Sequence, residues 1–245
     1  MLCPYYQSHA VYNGPMRLPS TLLEATFLVR LNRFAALVRL NGTETLVHVA
    51  NSGRLRELFQ PGNRVYLTPS PPSSVRKTRY TLSLVEVEGV LVSAEANVAS
   101  AVAYEWLAER RLPEFTGYTL VLREQTFHES RLDLLLLSDG PKHYVEVKSA
   151  TLVEGGVAMF PDAPTTRGQK HVGSLMRAVN EGWQASVVFV VQRSDASSFA
   201  PNDAADRTFG KALRQAVAAG VRAYAYSCRL TLEEITLGQR LPVVL

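Results

Sequence analysis

The chain has 245 residues, of which 47% are hydrophobic and 20% charged, a composition typical of a globular protein with one large or two small domains. No apolar run approaches the roughly 18 residues that a membrane-spanning helix needs, and the N-terminus lacks the basic and apolar segments of a secretion signal. The two cysteines, Cys3 and Cys228, have no metal-type spacing. These features exclude membrane-spanning and disulfide-stabilised classes and predict a cytoplasmic protein.

Charge is unevenly distributed along the chain, although the net charge is only +4. Residues 1–82 contain ten Lys and Arg against three Asp and Glu, whereas residues 83–245 contain sixteen against nineteen. A basic first third indicates contact with a polyanion such as nucleic acid. From charge alone, a merely well-solvated face is an equally good interpretation.

The first part of the chain predicts a small barrel. Asn41-Gly42 is a strong hairpin turn signal, and residues 54–59 predict a short helix between the third and fourth strands. Five short strands with a helix in that place are typical of a Greek-key barrel of the oligonucleotide-binding (OB) kind. The five predicted strands are 26–30, 34–40, 44–50, 63–69 and 79–89.

A basic loop joins the last two of these strands. The stretch "PSPPSSVRKTRY" is rich in Pro and Ser and ends with Arg76, Lys77 and Arg79. Loops in this position contact the bound strand in nucleic-acid-binding barrels. A solubilising loop is the alternative interpretation.

From about residue 97 the pattern changes to alternating helices and strands. Asn97 is the predicted N-cap of the first helix, and Thr165 or Thr166 that of the second. The segment "ASVVFVVQ" predicts a strand buried on both faces. The predicted elements are helix 97–112, strands 118–127, 131–137 and 143–152, helix 167–182, strand 185–192, helix 207–220 and strand 221–230.

Three charged residues interrupt two of these apolar strands, in "RLDLLLL" and "HYVEVKSA". Glu146 and Lys148 share one strand face because side chains alternate, and a hairpin can bring Asp133 opposite them. Two neighbouring carboxylates repel unless a cation lies between them, and Mg²⁺ or Mn²⁺ suits such a pair. A nearby lysine can orient or deprotonate an attacking water, so the pattern suits phosphodiester hydrolysis. An exposed cross-strand ion pair is the alternative.

This combination of charges and element order resembles the PD-(D/E)xK nuclease core. The resemblance implies that Asp133 and Glu146 hold the metal, and that Lys148 acts on the attacking water. It also implies a further ligand on the first helix, where Glu105 lies in the expected place and Glu109, one turn later, competes with it, and contributions from the next long helix. An exposed helix acid is the alternative interpretation of Glu105. No His/Cys cluster argues for zinc, no nucleotide cofactor is expected, and His171 alone is interpreted as a surface histidine. The resulting catalytic set is Asp133, Glu146, Lys148, Gln169 and Lys170, with Asp133, Glu146 and Glu105 as metal ligands.

A more specific resemblance covers nearly the whole chain. The motifs "NRFAALVRL", "HVANSGRLRELFQPGNRVYL", "SRLDLLLL", "YVEVKSATL", "AMFPDAPTTRGQKHVGSL" and "FVVQ" resemble the sugar fermentation stimulation protein family. The resemblance implies a fold of class α/β plus all-β: an N-terminal OB-fold-like five-stranded barrel (residues 1–88), then a PD-(D/E)xK-like mixed sheet flanked by helices (residues 89–245). It also implies DNA binding without strong sequence preference and a regulatory role in sugar (maltose) metabolism. Together with the basic residues of the first third and of the second helix, the predicted nucleic-acid-binding set is Arg30, Arg33, Asn51, Arg54, Arg76, Lys77, Arg79 and Arg167.

Three functions remain open at this stage. The first is a regulatory DNA-binding protein whose nuclease-like domain need not turn over, supported by the basic first third of the chain. The second is an active Mg²⁺-dependent nuclease acting on DNA or RNA, supported by the intact Asp/Glu/Lys set. The third is an RNA- or nucleotide-binding protein with a structural acidic patch. Neither the fold nor an intact set of site residues decides between them.

Overall fold

A computed structural model describes residues 16–71 and 78–245. The described chain forms two compact units. The first contains the described residues up to Val98 together with Leu230–Thr236, and the second contains Ala99–Arg229 with Leu237–Leu245. Among the described residues, no helix is long and apolar enough to cross a membrane.

The first unit is built around a closed five-stranded barrel. The strands of this part of the chain are β1 (Met16–Arg17), β2 (Leu23–Asn32), β3 (Ala35–Leu40), β4 (Thr43–His48), β5 (Arg64–Pro69), β6 (Tyr80–Val87) and β7 (Val90–Ser93). Strand β1 does not belong to the barrel sheet. Neighbouring strands follow the order β4-β3-β2-β5-β6-β7, and a parallel pairing of His48 with Thr81 closes β4 against β6. Strands β2 to β6 therefore form the predicted OB-type barrel, and this part of the fold prediction is confirmed.

Alternation along the strands explains the barrel interior. Phe27 on β2 pairs with Val38 on β3, and both side chains are buried in the core of this unit. Asn41 and Gly42 both have positive φ, as the two-residue hairpin between β3 and β4 requires. The predicted short helix at 54–59 is instead a single turn, in which the Leu58 and Phe59 N–H groups donate to the Leu55 carbonyl.

The second unit is a mixed sheet with helices. Its elements are α1 (Ala96–Ala108), a 3₁₀ helix (Pro113–Phe115), β8 (Leu120–Phe127), β9 (Ser130–Leu137), β10 (His143–Ala150), β11 (Leu152–Glu154), β12 (Val157–Phe160), α2 (Thr166–Asn180), β13 (Gln184–Val191), β14 (Ser198–Pro201), α3 (Asp203–Ala218), β15 (Arg222–Leu230) and β16 (Glu234–Leu241). The main sheet has the order β1-β16-β15-β13-β10-β9-β8, in which Met16 and Arg17 of β1 pair antiparallel with Ile235 and Glu234 of β16. Strands β10, β13 and β15 are parallel, whereas β8, β9 and β10 are antiparallel, so the predicted mixed sheet is confirmed.

Strand β13 and the two long helices form the core of this unit. Phe189 of β13 is fully buried with Leu175 of α2 and Leu213 of α3, as its continuous apolar run predicts. Thr165 is the N-cap of α2 and accepts a hydrogen bond from the Gly168 N–H at 3.0 Å. Helix α1 begins one residue before Asn97, which is therefore not its N-cap. Strands β1, β7, β11, β12, β14 and β16 had no counterpart of their own in the sequence prediction.

A fully buried histidine begins strand β10. The Tyr118 hydroxyl donates to Gln184 Oε1 at 2.9 Å and therefore accepts from His143 Nδ1 at 2.7 Å. His143 Nε2 in turn accepts from Ser186 Oγ at 2.7 Å, so the chain of hydrogen bonds selects the neutral Nδ1–H imidazole. Burial, with a contribution from the charge of Arg222, lowers the pKa of His143 to about 3.

We predict that His143 makes the second unit less stable in mild acid. The unfolded histidine takes up a proton near pH 6.5 but the folded one only near pH 3, so between these values stability falls as pH falls. The slope is at most about 1.4 kcal/mol per pH unit. Both tryptophans, Trp106 and Trp183, belong to the second unit, so urea unfolding followed by tryptophan fluorescence reports it. His143→Gln should be less stable at pH 7 and have a flatter stability profile to pH 4; parallel profiles would contradict the assignment.

Candidate metal and phosphate site

The pairing of strands breaks down around Asp133. The β9–β10 pairing ends at Leu134 opposite Val145, one residue before Asp133 and Glu146 would meet. On the other side of β9, the pairing with β8 omits Asp133. Leu132 and Leu134 pair with Gln125 and Arg123, and Glu124 between them has a φ of +51°. The Asp133 carboxylate instead accepts the Val147 N–H at 2.8 Å. The side chain thus replaces a backbone partner where the strands separate, which places a carboxylate at the opening.

The Glu146 carboxylate lies deeper and is only 2% exposed. Its Oε1 accepts a hydrogen bond from Lys148 Nζ at 2.5 Å and another from His171 Nδ1. Its Oε2 is buried and has no hydrogen-bond partner among the described residues. One oxygen of this carboxylate is therefore fully engaged, and the other is desolvated without compensation.

Helix α2 supplies the histidine that contacts this carboxylate. His171 is 5% exposed and lies in the second turn of the helix. Arg167, one turn earlier, directs its Nε toward His171 Nε2 at 3.4 Å. On its other side, His171 donates through Nδ1–H to Glu146 Oε1. Arg167 itself is exposed, so a cationic side chain lies at the solvent side of the site.

The two carboxylates have opposite pKa shifts. Burial would raise the pKa of Glu146, but the charge of Lys148 and the hydrogen bond from His171 outweigh it and hold this pKa below its usual value. Burial, followed by the negative charge of Glu146, raises the pKa of Asp133 to about 6, against the opposing effect of the Val147 N–H. Donors and positive charge therefore compensate the Glu146 carboxylate, whereas the Asp133 carboxylate is not fully compensated.

These residues fit a divalent cation that takes oxygen ligands. Glu146 Oε2 needs a partner, and a cation between the carboxylates would offset both the burial and the repulsion that raise the pKa of Asp133. Mg²⁺ typically uses one or two protein carboxylates and completes its shell with water and phosphate oxygens. Within residues 16–71 and 78–245, no group of three or more His, Cys, Asp and Glu side chains is arranged to hold a metal. The protein's own contribution is thus the pair Asp133 and Glu146.

Glu105 is not brought to this pair. The α1 residue that reaches Asp133 is Ser100, whose hydroxyl lies 3.4 Å from Asp133 Oδ1. Five residues later the helix has turned by about 140°, which directs Glu105 away from that contact. Burial, and then the charge of Glu109, raise the pKa of Glu105 to about 7, while Arg111 acts in the other direction. Glu105 therefore belongs to a separate acidic pair on α1.

Gln169 and Lys170 of helix α2 also point elsewhere. The Gln169 amide donates to both carboxylate oxygens of Asp206 at 3.2 and 3.0 Å, which braces α2 against α3. Lys170 Nζ donates to the Glu129 carbonyl at 2.8 Å, beside the turn that joins β8 and β9. Of the predicted catalytic set, the structure therefore brings together Asp133, Glu146 and Lys148 only.

In the first unit, Arg30 is a structural residue. Its guanidinium uses all five N–H groups on backbone carbonyls, which leaves no donor for a phosphate. The distances run from 2.6 to 3.1 Å, and the carbonyls belong to Asn32, Arg33, Asn51, Gly53 and Arg54. Arg30 thereby ties the β2–β3 turn to the loop that follows β4.

The other predicted nucleic-acid contacts have different environments. Asn51 is buried, and its side chain accepts the Gly53 N–H at 2.9 Å within that loop. Arg33, Arg54 and Arg79 are exposed, and none of their guanidinium groups pairs with another described residue. Arg76 and Lys77 lie outside the described residues.

The interpretation of His171 as a surface histidine is wrong, because its side chain is 5% exposed and contacts Glu146. The signal was present in the helical period, because Gly168, His171, Val172, Leu175 and Ala178 recur at intervals of three and four and are all buried. A histidine within such an apolar stripe is buried, and a buried imidazole needs polar partners. Which partner it meets depends on how α2 packs on the sheet, and this the sequence does not state.

We predict that His171 stabilises the buried Glu146 charge. His171→Ala should lower the free energy of unfolding by about 1–3 kcal/mol, whereas His171→Asn, which keeps an N–H near Nδ1, should recover much of the loss. The matched control is His128→Ala, since His128 bonds Glu181 at 2.9 Å on the surface and such a pair contributes less than about 1 kcal/mol. Urea unfolding by tryptophan fluorescence measures all three. In a Glu146→Gln background the His171→Ala cost should shrink; an unchanged cost would show that the two residues are not coupled.

Family models match both units of the chain. The model described as the SfsA N-terminal OB domain matches residues 28–94. The model described as the sugar fermentation stimulation protein RE domain matches residues 97–234. Together they cover most of the barrel and most of the mixed sheet.

Individual relatives match over nearly the full length. The sugar fermentation stimulation protein homolog of Geobacter sulfurreducens is 43% identical over 231 residues, 94% of this chain and 99% of that protein. The homolog of Desulforamulus reducens is 42% identical over 224 residues, 91% of this chain and 93% of that protein. A solved structure of Pyrococcus furiosus SfsA in complex with Ca²⁺ superposes with a TM-score of 0.85 at 34% identity, over 93% of this chain and 97% of that one. The chain therefore belongs to the sugar fermentation stimulation protein family.

Proposed function

We propose that this protein binds DNA without strong sequence preference and holds a divalent cation at Asp133 and Glu146, where the cation meets the phosphate backbone. The observation that carries the proposal is Glu146 Oε2, a buried carboxylate oxygen with no hydrogen-bond partner among the described residues. A desolvated anionic oxygen beside a second carboxylate calls for a cation. The structure of the Pyrococcus furiosus relative in complex with Ca²⁺ supports the same choice of ligand class.

Each residue of the site has a separate part in this proposal. Asp133 and Glu146 would hold Mg²⁺ or Mn²⁺, which when bound supplies positive charge to phosphate oxygens and acidifies water. Lys148 and His171 fix the orientation of the Glu146 carboxylate through Oε1 and leave Oε2 for the cation. Arg167, exposed at the N-terminal turn of α2, is placed to bind a phosphate.

The DNA-binding part of the proposal is supported by arginines of the first unit. Five exposed guanidinium groups there have no ion pair or hydrogen bond with another described residue: those of Arg33, Arg39, Arg54, Arg56 and Arg79. Unpaired surface cations favour a polyanion, and phosphate contacts dominate non-specific affinity. Regulation of sugar metabolism, which the family name suggests, would act through this binding, in the cytoplasm; RNA is the alternative ligand.

We expect DNA binding to depend strongly on salt and on these arginines. Exchanging Arg33 and Arg54 together for Gln should weaken duplex binding and make the plot of log K against log[salt] shallower by about 2. The matched control is Arg64→Gln, because Arg64 already pairs with Glu24 at 3.3 Å and Glu86 at 3.2 Å and should change binding less. Fluorescence anisotropy at several salt concentrations measures both. Equal slopes for the parent and the double variant would exclude this surface of the barrel.

Hydrolysis of the bound strand is a second candidate, favoured by the position of Lys148. Its side chain is 11% exposed and its ammonium lies 2.5 Å from Glu146, beside the proposed cation. A cation, two carboxylates and a lysine are the groups that phosphodiester hydrolysis needs. The lysine can steady negative charge developing on phosphorus or orient the attacking water.

Cleavage and cation binding can be separated with two variants. Single- and double-stranded DNA and RNA are incubated with Mg²⁺ or Mn²⁺, and cation affinity is measured by calorimetry. Asp133→Asn should lose cation binding and cleavage together. Lys148→Met should keep most cation and DNA binding but lose about 10²–10⁴-fold in cleavage rate. If the parent protein binds the cation but cleaves none of these substrates, only the binding role stands. If the parent protein does not bind the cation, the proposed site is refuted.

A further inference from the structure

The outer face of the barrel carries a continuous apolar surface. Val29 on β2 pairs with Leu37 on β3, and Leu37 pairs with Leu46 on β4, so the three side chains form a row across three strands. Phe34 and Leu31 adjoin this row at the β2–β3 turn. We call these five residues the apolar face.

This surface is unusual within the molecule. The described residues include eight large apolar side chains that are exposed, and four of them, Val29, Leu31, Phe34 and Leu46, lie within an 18-residue stretch on this face. Phe34 is 51% exposed and Leu46 is 43% exposed. Scattered apolar side chains need no explanation, but a contiguous group marks an interaction surface.

Cations without partners border the apolar face. Arg33 immediately precedes Phe34, and Arg39 lies on β3 two residues beyond Leu37 on the same face. The guanidinium of Arg30 donates hydrogen bonds to the backbone carbonyls of both Arg33 and Arg54, so these two residues lie side by side next to Phe34. None of the three bordering guanidinium groups has an ion pair or hydrogen bond within the described chain.

We propose that the apolar face binds a single strand of DNA, with unstacked bases packed on Phe34 and the Val29–Leu37–Leu46 row, and with phosphates bound by Arg33 and Arg54. This inference rests on the proposed function and specifies its ligand. Apolar side chains gain nothing from a duplex, whose base faces are stacked inside, whereas each base of a single strand offers a flat apolar face. A second copy of this chain on the same face would bring unpaired arginines against one another, which is unfavourable.

The test compares single-stranded and duplex DNA on the full chain. Anisotropy with a labelled oligo-dT of about 15 nucleotides and with a duplex of the same length is measured in EDTA, to prevent cleavage. Phe34→Ala should weaken single-strand binding at least about fivefold without changing its salt slope, because stacking releases no counterions. Phe34→Tyr should restore binding. Arg33→Gln should instead make the single-strand slope shallower by about 0.7.

Leu46 and Leu120 provide a matched pair of exposed leucines for the same measurement. Leu46→Ala should weaken single-strand binding, whereas Leu120→Ala should not, because Leu120 is similarly exposed (49%) but lies on β8 of the other unit. Salt-dependent binding that neither Phe34→Ala nor Leu46→Ala affects would overturn this inference and leave the proposed function standing. Equal weakening of single-strand and duplex binding would also overturn it. Sedimentation of a dimer that Leu46→Lys disperses would assign the face to a second copy.

Discussion

The buried charge of Glu146 is the constraint on which the rest of the site depends. Removing an isolated carboxylate from water costs far more than one side-chain contact returns, so its burial is possible only with compensating donors. Lys148 supplies one from the same strand face and His171 the other from helix α2. Helix α2 must therefore dock in one position, and its Thr165 cap and the Gln169–Asp206 brace hold it there.

Separation of the strands at Asp133 gives the site its access. A sheet that continued its pairing through Asp133 and Glu146 would bury both carboxylates against each other. The pairing instead ends at Leu134 and Val145, and Asp133 satisfies the Val147 N–H with its side chain. The resulting pair has one carboxylate with compensated charge and one whose pKa rises to about 6. This asymmetry is what makes the site suited to a cation.

The residues that sequence patterns placed well are those whose position follows from local periodicity. Alternation along β10 puts Glu146 and Lys148 on one face, and the hairpin after β9 brings Asp133 to the same edge. Glu105 illustrates the opposite case, because its contacts depend on the rotation of α1 about its own axis, and Ser100 takes the place expected for it. Arg30 was interpreted as a phosphate contact from its charge, but its five donors face backbone carbonyls. A sequence does not show whether a cation already has partners.

The sequence by itself determined the five-stranded barrel, the mixed sheet and the three charged residues within two of its strands, because hydrophobic period and turn residues act over short distances. The sequence did not predict short or peripheral strands such as β14 and β16, because these strands are defined by their pairing with neighbours rather than by their own residue pattern. Only the tertiary structure decided that His171 contacts Glu146, that Gln169 and Lys170 do not, and that Phe34 and Leu46 share one exposed surface. These facts depend on helix docking and strand register, which bring together residues far apart in the chain.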